Sequence, residues 1–206
     1  MSIRKKILAI SIGPVLVLGV ITLLFMLTMV KSSLMDEVQD ALKGTAAATL
    51  AAYDQNTGDY LESTNGDIWK GSYNISKSES LVDRIKENTG MDVTFFYGNK
   101  RIMTSALDKK GNRILGSEAG ERVVNQVIKG KKPFFSTNVS LDGTRNYGYF
   151  IPVYQNGTTD QVIGMVFVGT NKARKDAIVN KILGSIMMAL LVVMLLRSEE
   201  HTSELQ

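Results

Sequence analysis

Residues 90–105 read GMDVTFFYGNKRIMTS, and their period decides the fold. Val93, Phe95 and Tyr97 alternate with Thr94 and Phe96, the two-residue period of a strand rich in aromatic and β-branched side chains. Gly98-Asn99 marks a tight turn, and Arg101 to Ser105 forms the return strand of a hairpin.

Downstream, Asp108-Lys109-Lys110-Gly111-Asn112 is a second turn cluster. A helix is expected over 117–129, with Ser117 as cap, Val123, Val124, Val127 and Ile128 facing inward, and Gly130 as terminator. Three more strands are expected at about 134–141, 145–154 and 162–170. Asp142-Gly143 and Asn156-Gly157 between them are hairpin signals, and Pro152 suggests the end of a paired stretch. Lys129, Lys131 and Lys132 form a basic cluster, either a solvated turn or a salt-sensitive ligand entrance.

Upstream, a short helix fits 79–89. Ser80 and Asp83 have capping-box spacing, Leu81, Val82 and Ile85 give an apolar face, and Gly90 is the stop. Residues 54–77, rich in Asn, Gly, Ser and Asp with Tyr60, Trp69 and Tyr73 interspersed, read as a loop and a candidate flap over a ligand pocket. Residues 32–55 read as an amphipathic helix: Leu34, Val38, Ala41, Leu42, Thr45, Ala48 and Ala52 follow three/four spacing. It serves as a core helix, as a stalk packed against its copy in a homodimer, or as both. The expected fold class is α+β: a PAS-like domain with a five-stranded, mostly antiparallel sheet and a long N-terminal helix.

Residues 7–30 contain no charge and reach roughly 36 Å as a helix, enough to cross a membrane core of ~30 Å. The apolar core is longer than a signal peptide's, and Met29-Val30-Lys31-Ser32-Ser33 lacks a small-x-small exit, so an uncleaved anchor is expected. Arg4, Lys5 and Lys6 place residues 1–6 in the cytoplasm and residues 31–177 outside. Residues 178–196 form a second apolar run, clean from Ile182 to Leu196. It is short for a span and reads as a truncated transmembrane helix. Residues 197–206, RSEEHTSELQ, resemble a sequencing adapter translated in frame. They are set aside as an artefact, and the natural chain is expected to continue past Leu196.

Composition excludes more than it selects. The chain has no Cys, and its one His, His201, lies in the tail. Thiolate, triad and zinc chemistries therefore lose their main players. No phosphate-loop motif and no spaced carboxylate pair stands out, so no enzyme activity, cofactor or metal is expected. Residues 31–177 carry 19 basic and 17 acidic residues, too balanced for a nucleic-acid footprint.

The stretches GMDVTFFYGNKRIMTS (90–105), DKKGNRILGS (108–117), NYGYFIPVYQNG (146–157) and VIGMVFVGTNK (162–172) together resemble the single-Cache sensor domain of bacterial methyl-accepting chemotaxis proteins, over roughly 80–174. The resemblance implies a transmembrane chemoreceptor: an extracytoplasmic, homodimeric sensor of a small-molecule ligand, set in the cell membrane and passing a conformational signal across it. Cytoplasmic signalling partners would be reached only through the missing C-terminal region. The sensor region of a histidine kinase or diguanylate cyclase, or a membrane-anchored interaction domain, are the alternatives. The His-containing carboxylate set of related citrate sensors is not reproduced, and an organic acid stays a plausible ligand class.

Strand alternation puts Arg145, Tyr147 and Tyr149 on one face, Arg101, Met103 and Ser105 on one face, and Thr104 on the other. The family's pocket draws on these strands. The candidate ligand-binding residues are therefore Arg101, Tyr147 and Tyr149, then Thr104 and Ser105. Arg would fork onto a carboxylate, and Tyr would supply a wall and a hydroxyl.

Overall fold

The computed structural model describes the backbone of residues 3–203 and the side chains of residues 17–190 and 192. The expectations for Arg4, Lys5 and Lys6, for the first residues of the anchor, for the end of the second apolar run and for the 197–206 tail fall on side chains outside that set. The chain divides into two compact units, one of residues 38–175 and one of residues 1–37 with 176–206.

In chain order the elements are α1 (Ile3–Asp54), β1 (Tyr60–Glu62), β2 (Ile68–Lys70), β3 (Tyr73–Asn74), α2 (Glu79–Thr89), β4 (Asp92–Tyr97) and β5 (Lys100–Thr104). Then follow α3 (Glu121–Val123), running into a π-helical segment (Val124–Lys129), β6 (Phe134–Leu141), β7 (Thr144–Tyr154), β8 (Val162–Asn171) and α4 (Lys172–Ser203). The main sheet has five strands in the order β5-β4-β8-β7-β6, and every pairing in it is antiparallel. The expected α+β architecture, with a long N-terminal helix and a five-stranded sheet, is the one found.

The sheet has two buried faces. Phe95, with Val93, Val166 and Val168, lies on the face covered by α1. Leu42, Ala46, Thr49 and Tyr53 recur at helical spacing and are fully buried. Tyr53 meets the Phe95 ring edge-on at 5.2 Å, and Tyr60 of β1 stacks on it at 5.9 Å. On the opposite face, Phe96, Phe150, Met165 and Phe167 join Val127 and Leu141 in a second cluster. Burying side chains of this size stabilises by roughly 1.5–3 kcal/mol each.

Three local expectations are corrected. Residues 54–77 are not an open loop: β1, β2 and β3 form a small antiparallel sheet, and its Tyr60 contact places it on the α1 face. The N-cap position of α2 is Ser78 rather than Ser80: the Ser78 carbonyl accepts from Leu81 and Val82 N–H, while its hydroxyl makes no cap hydrogen bond and instead meets Tyr53 Oη at 3.0 Å and donates to the Ile75 carbonyl. The crossover helix starts at Glu121, not Ser117. Residues 116–119 instead pair with the outer edge of β5: the Arg101 and Ala119 N–H groups donate to Ser117 and Asn99 carbonyls, and Gly116 N–H donates to Arg101. This strap covers an edge that would otherwise be unpaired.

Pro152 sits inside β7, yet its reading has a counterpart. Pairing with β6 ends at Phe150, while pairing with β8 continues past Pro152 to Tyr154. The missing N–H falls where one neighbour has already stopped. The Asp142-Gly143 turn has both residues at positive φ, 45° and 78°, the conformation a two-residue hairpin needs.

In the other unit, the N-terminal helix leaves Val17, Leu18, Ile21, Leu24, Phe25 and Met29 more than half exposed. Among the described residues, one helix is long and apolar enough to cross a membrane, by length and composition, and it is this one.

Candidate functional site

A cleft of about 410 Å³ opens on the sheet face away from α1. Phe96 of β4, Phe150 of β7 and Phe167 of β8 line its sheet side, and Phe134 and Val139 come from β6. Strap and helix residues Glu118, Ala119, Arg122 and Val123 form the opposite side. The floor is aromatic and continuous: the Phe150 and Phe167 rings are 4.7 Å apart, and those of Phe134 and Phe150 are 6.5 Å apart. Ser136, Asn138 and Ser140 add polar groups along β6. Apolar walls with a few polar groups are what small-molecule sites present.

Arg101 reaches this cleft because of a bulge. Thr94 pairs with Thr104 and Phe95 with Met103, but Phe96 pairs with Arg101, so Ile102 is the extra residue. The inserted residue reverses the alternation. Arg101 then shares a face with Phe96 and Thr104, while Met103 turns to the α1 face. The expected grouping of Arg101 with Met103 fails for this reason.

The Arg101 side chain is 8% exposed, with its guanidinium 5.4 Å from the centre of the Phe96 ring. Nη1 donates to the Ile114 carbonyl at 3.3 Å, and Nε is buried without a partner. Among the described residues no carboxylate oxygen lies within 4.0 Å of it. Burial lowers its pKa from the usual value and the Asp92 carboxylate partly restores it, so the group stays cationic at neutral pH. A buried guanidinium with so few partners is costly to the protein alone.

The five residues expected to bind ligand are not brought together. Arg101 alone lines the cleft. Thr104 shares its face, but its hydroxyl is fully buried, 2.7 Å from Thr94 Oγ1, and accepts from the Ala106 N–H. Ser105 Oγ accepts from the Val93 N–H, tying the end of β5 to β4. Tyr147 and Tyr149 pair with Thr170 and Val168, on the α1 face of β7. Lys172 Nζ donates to Tyr147 Oη at 2.7 Å, and Phe135 stacks on the Tyr147 ring.

Alternation along β7 could have placed Phe150 opposite Tyr149. The bulge at Ile102 and the route of the strap left no mark in the sequence pattern. The Lys129, Lys131 and Lys132 side chains are exposed and do not line the cleft, which fits a solvated turn. Among the described residues no cluster of His, Cys, Asp or Glu could hold a metal ion.

An antiparallel five-stranded sheet with a long helix on one face and a small aromatic cleft on the other is a PAS-like α+β architecture. The chain belongs to the family described as single cache domain 3, whose model matches residues 73–182, more than half of the chain. No curated protein matches it.

Among solved structures, the chain is similar to an extracellular ligand binding receptor from Desulfohalobium retbaense, with 15% identity and a TM-score of 0.52. That match covers 74% of this chain and 25% of the other. It is also similar to the ligand-binding domain of the Campylobacter jejuni chemoreceptor Tlp3 in complex with L-valine, with 12% identity and a TM-score of 0.50, covering 77% and 63% respectively. The same sensory domain with isoleucine bound gives 13% identity and a TM-score of 0.50, covering 77% and 62%. The chain thus spans a quarter of the first structure and less than two thirds of the other two, and at these identities the likeness is one of fold.

Proposed function

We propose that this chain is the sensory region of a membrane-anchored chemoreceptor that binds a small carboxylate in the cleft and passes the change toward its C-terminal helix. The observation that carries the ligand class is Arg101: a buried cation, short of partners, beside an aromatic floor. A carboxylate from the ligand supplies the missing acceptor through paired charge-assisted hydrogen bonds. An apolar body then lies on Phe96, Phe150 and Phe167. The cleft has one buried cation, Arg101, while Glu118 and Arg122 at its rim are both exposed and opposite in charge, which favours a single carboxylate over two. The Tlp3 structures hold L-valine and isoleucine, each a carboxylate with an apolar side chain, and their fold likeness supports the same choice.

Chain connectivity supports the signalling role. β8 carries Phe167 in the cleft and is followed directly by α4 at Lys172. A ligand that favours one arrangement of β8 acts on the start of that helix, to the extent of its differential affinity for the two states. In this reading residues 31–177 face the exterior, α1 anchors the chain, and α4 carries the second crossing.

The test is a thermal-unfolding screen of the full chain in detergent micelles against straight-chain monocarboxylates, dicarboxylates and apolar amino acids. A ligand at 100 times its Kd stabilises by about 2.7 kcal/mol. A response to monocarboxylates that disappears in Arg101→Gln supports the assignment. A response that survives Arg101→Gln unchanged contradicts it.

A further inference from the structure

β7 and β8, the two longest strands of the sheet, place Gly148 directly opposite Gly169. Glycine weakens a strand through its unfolded-state freedom and its lack of a side chain to pack. Backbone conformation does not call for it here, as neither residue has a positive φ. Space does. A Cβ on Gly148 would stand 2.5 Å from Cε2 of Phe167 and 2.8 Å from Cγ2 of Val139. A Cβ on Gly169 would collide with Cζ of the same ring. The Phe167 ring therefore lies flat across the glycine pair, in the slot two missing side chains leave.

That slot is on the cleft side. Gly148 is two residues from Phe150 and Gly169 two residues from Phe167, so all four share the face that carries Arg101. With the sheet beneath it and the Phe150 ring 4.7 Å away, a displaced Phe167 ring has one direction left, into the cleft. We infer that the Gly148–Gly169 pair sets the depth of the cleft, through the recessed Phe167 ring, and so the length of the apolar body a ligand can carry. The ligand class is then a monocarboxylate with an apolar chain, longer than the unrecessed floor would admit. This rests on the carboxylate reading above and adds to it a determinant of specificity that does not touch the charge.

The experiment measures binding of acetate, propionate, butyrate, valerate and hexanoate to the full chain in detergent, by calorimetric titration. In wild type, affinity rises with chain length to an optimum. In Gly148→Ala and Gly169→Ala the optimum moves to a shorter acid, and each methylene no longer accommodated loses roughly fourfold in affinity. Adding Phe167→Leu to Gly169→Ala removes the displaced ring and returns the optimum to the wild-type length or beyond. Phe167→Leu alone adds no atoms and carries the test if the alanine variants do not fold: its optimum moves to a longer acid. A wild type that binds these acids with an optimum that none of the variants moves overturns the inference and leaves the Arg101 assignment standing. A wild type silent to all five acids overturns the inference, and the Arg101 assignment falls with it when dicarboxylates and apolar amino acids are silent as well.

Discussion

The Arg101 guanidinium sits 5.4 Å from the centre of the Phe96 ring, with its Nε buried and without a hydrogen-bond partner. The ring gives the cation a partial partner, worth about 0.5–2 kcal/mol, and an anion is still wanted. This geometry separates stability from binding. Arg101→Met keeps the stem and removes the buried charge, so the ligand-free protein is expected to unfold at the wild-type temperature or above it. The same variant is expected to lose about 10- to 100-fold in affinity for a monocarboxylate, the worth of a hydrogen bond to a charged group. Thermal unfolding with and without the acid measures both. A variant that is destabilised yet binds normally would make Arg101 a structural residue.

Tyr147 and Tyr149 give the complementary expectation. Both are buried on the α1 face, with the sheet between them and the cleft. Tyr147→Phe removes the acceptor of the Lys172 hydrogen bond, and Tyr149→Phe trims a hydroxyl. Each is expected to leave carboxylate affinity within about twofold of wild type, since neither alters a group the ligand meets. A tenfold loss in either would move the site to the other face.

Lys70 is a structural test. Its side chain is 3% exposed, lies 3.8 Å from Asp54 Oδ1 and has Nζ 4.3 Å above the Tyr60 ring. Tyr60 Oη donates to the same Asp54 oxygen at 3.0 Å. The cluster fastens the small sheet to the end of α1. Lys70→Ala is expected to cost about 2–4 kcal/mol, chiefly through lost packing of the buried stem, with a smaller part from the ion pair, since the Asp54 side chain is 50% exposed. Lys70→Met, which retains the stem, is expected to cost less than half of that. Equal losses from chemical denaturation of the two variants would assign the effect to charge alone.

Asp83 supplies a pH dependence. Arg113 donates to both its carboxylate oxygens, at 2.9 and 2.5 Å, and this hydrogen bonding holds the Asp83 pKa below its usual value. A depressed folded pKa stabilises above the unfolded value of about 3.9 and is lost as pH falls through the folded one. Asp83→Asn is therefore expected to be less stable than wild type at pH 7 and to converge with it in strong acid. The Asp83 side chain is 42% exposed, so solvent screening keeps the difference under about 1 kcal/mol. Urea midpoints from pH 7 down to pH 2 measure it, and a gap that persists in acid would exclude the ion pair as its source.

Where local period and turn chemistry agree, the chain is readable from its residues. Gly98, Gly90 and Asp142-Gly143 mark their turns, and β6, β7 and β8 fall within a residue or two of their expected bounds. The site was less legible because it depends on relations between segments. One extra residue at Ile102 reverses which way Arg101 points, and a bulge leaves no periodic trace in a five-residue strand. The 116–119 strap took the edge of β5 instead of extending a helix, a tertiary choice that outweighs the Ser117 cap. In residues 54–77 polar turn residues outnumber apolar ones, and the small sheet there is held by Tyr60, Ile68 and Ile75 packing inward. The glycines of β7 and β8 acquire meaning only once the Phe167 ring is seen across them.

The most direct measurement is the Nε–H resonance of Arg101 in nitrogen-15 arginine-labelled full chain, assigned by its loss in Arg101→Lys, during titration with a monocarboxylate that stabilises the protein. A downfield movement of that signal, saturating with the calorimetric affinity, is the expected result. An Arg101 signal that stays in place while calorimetry shows the chain saturated with the acid would contradict the account.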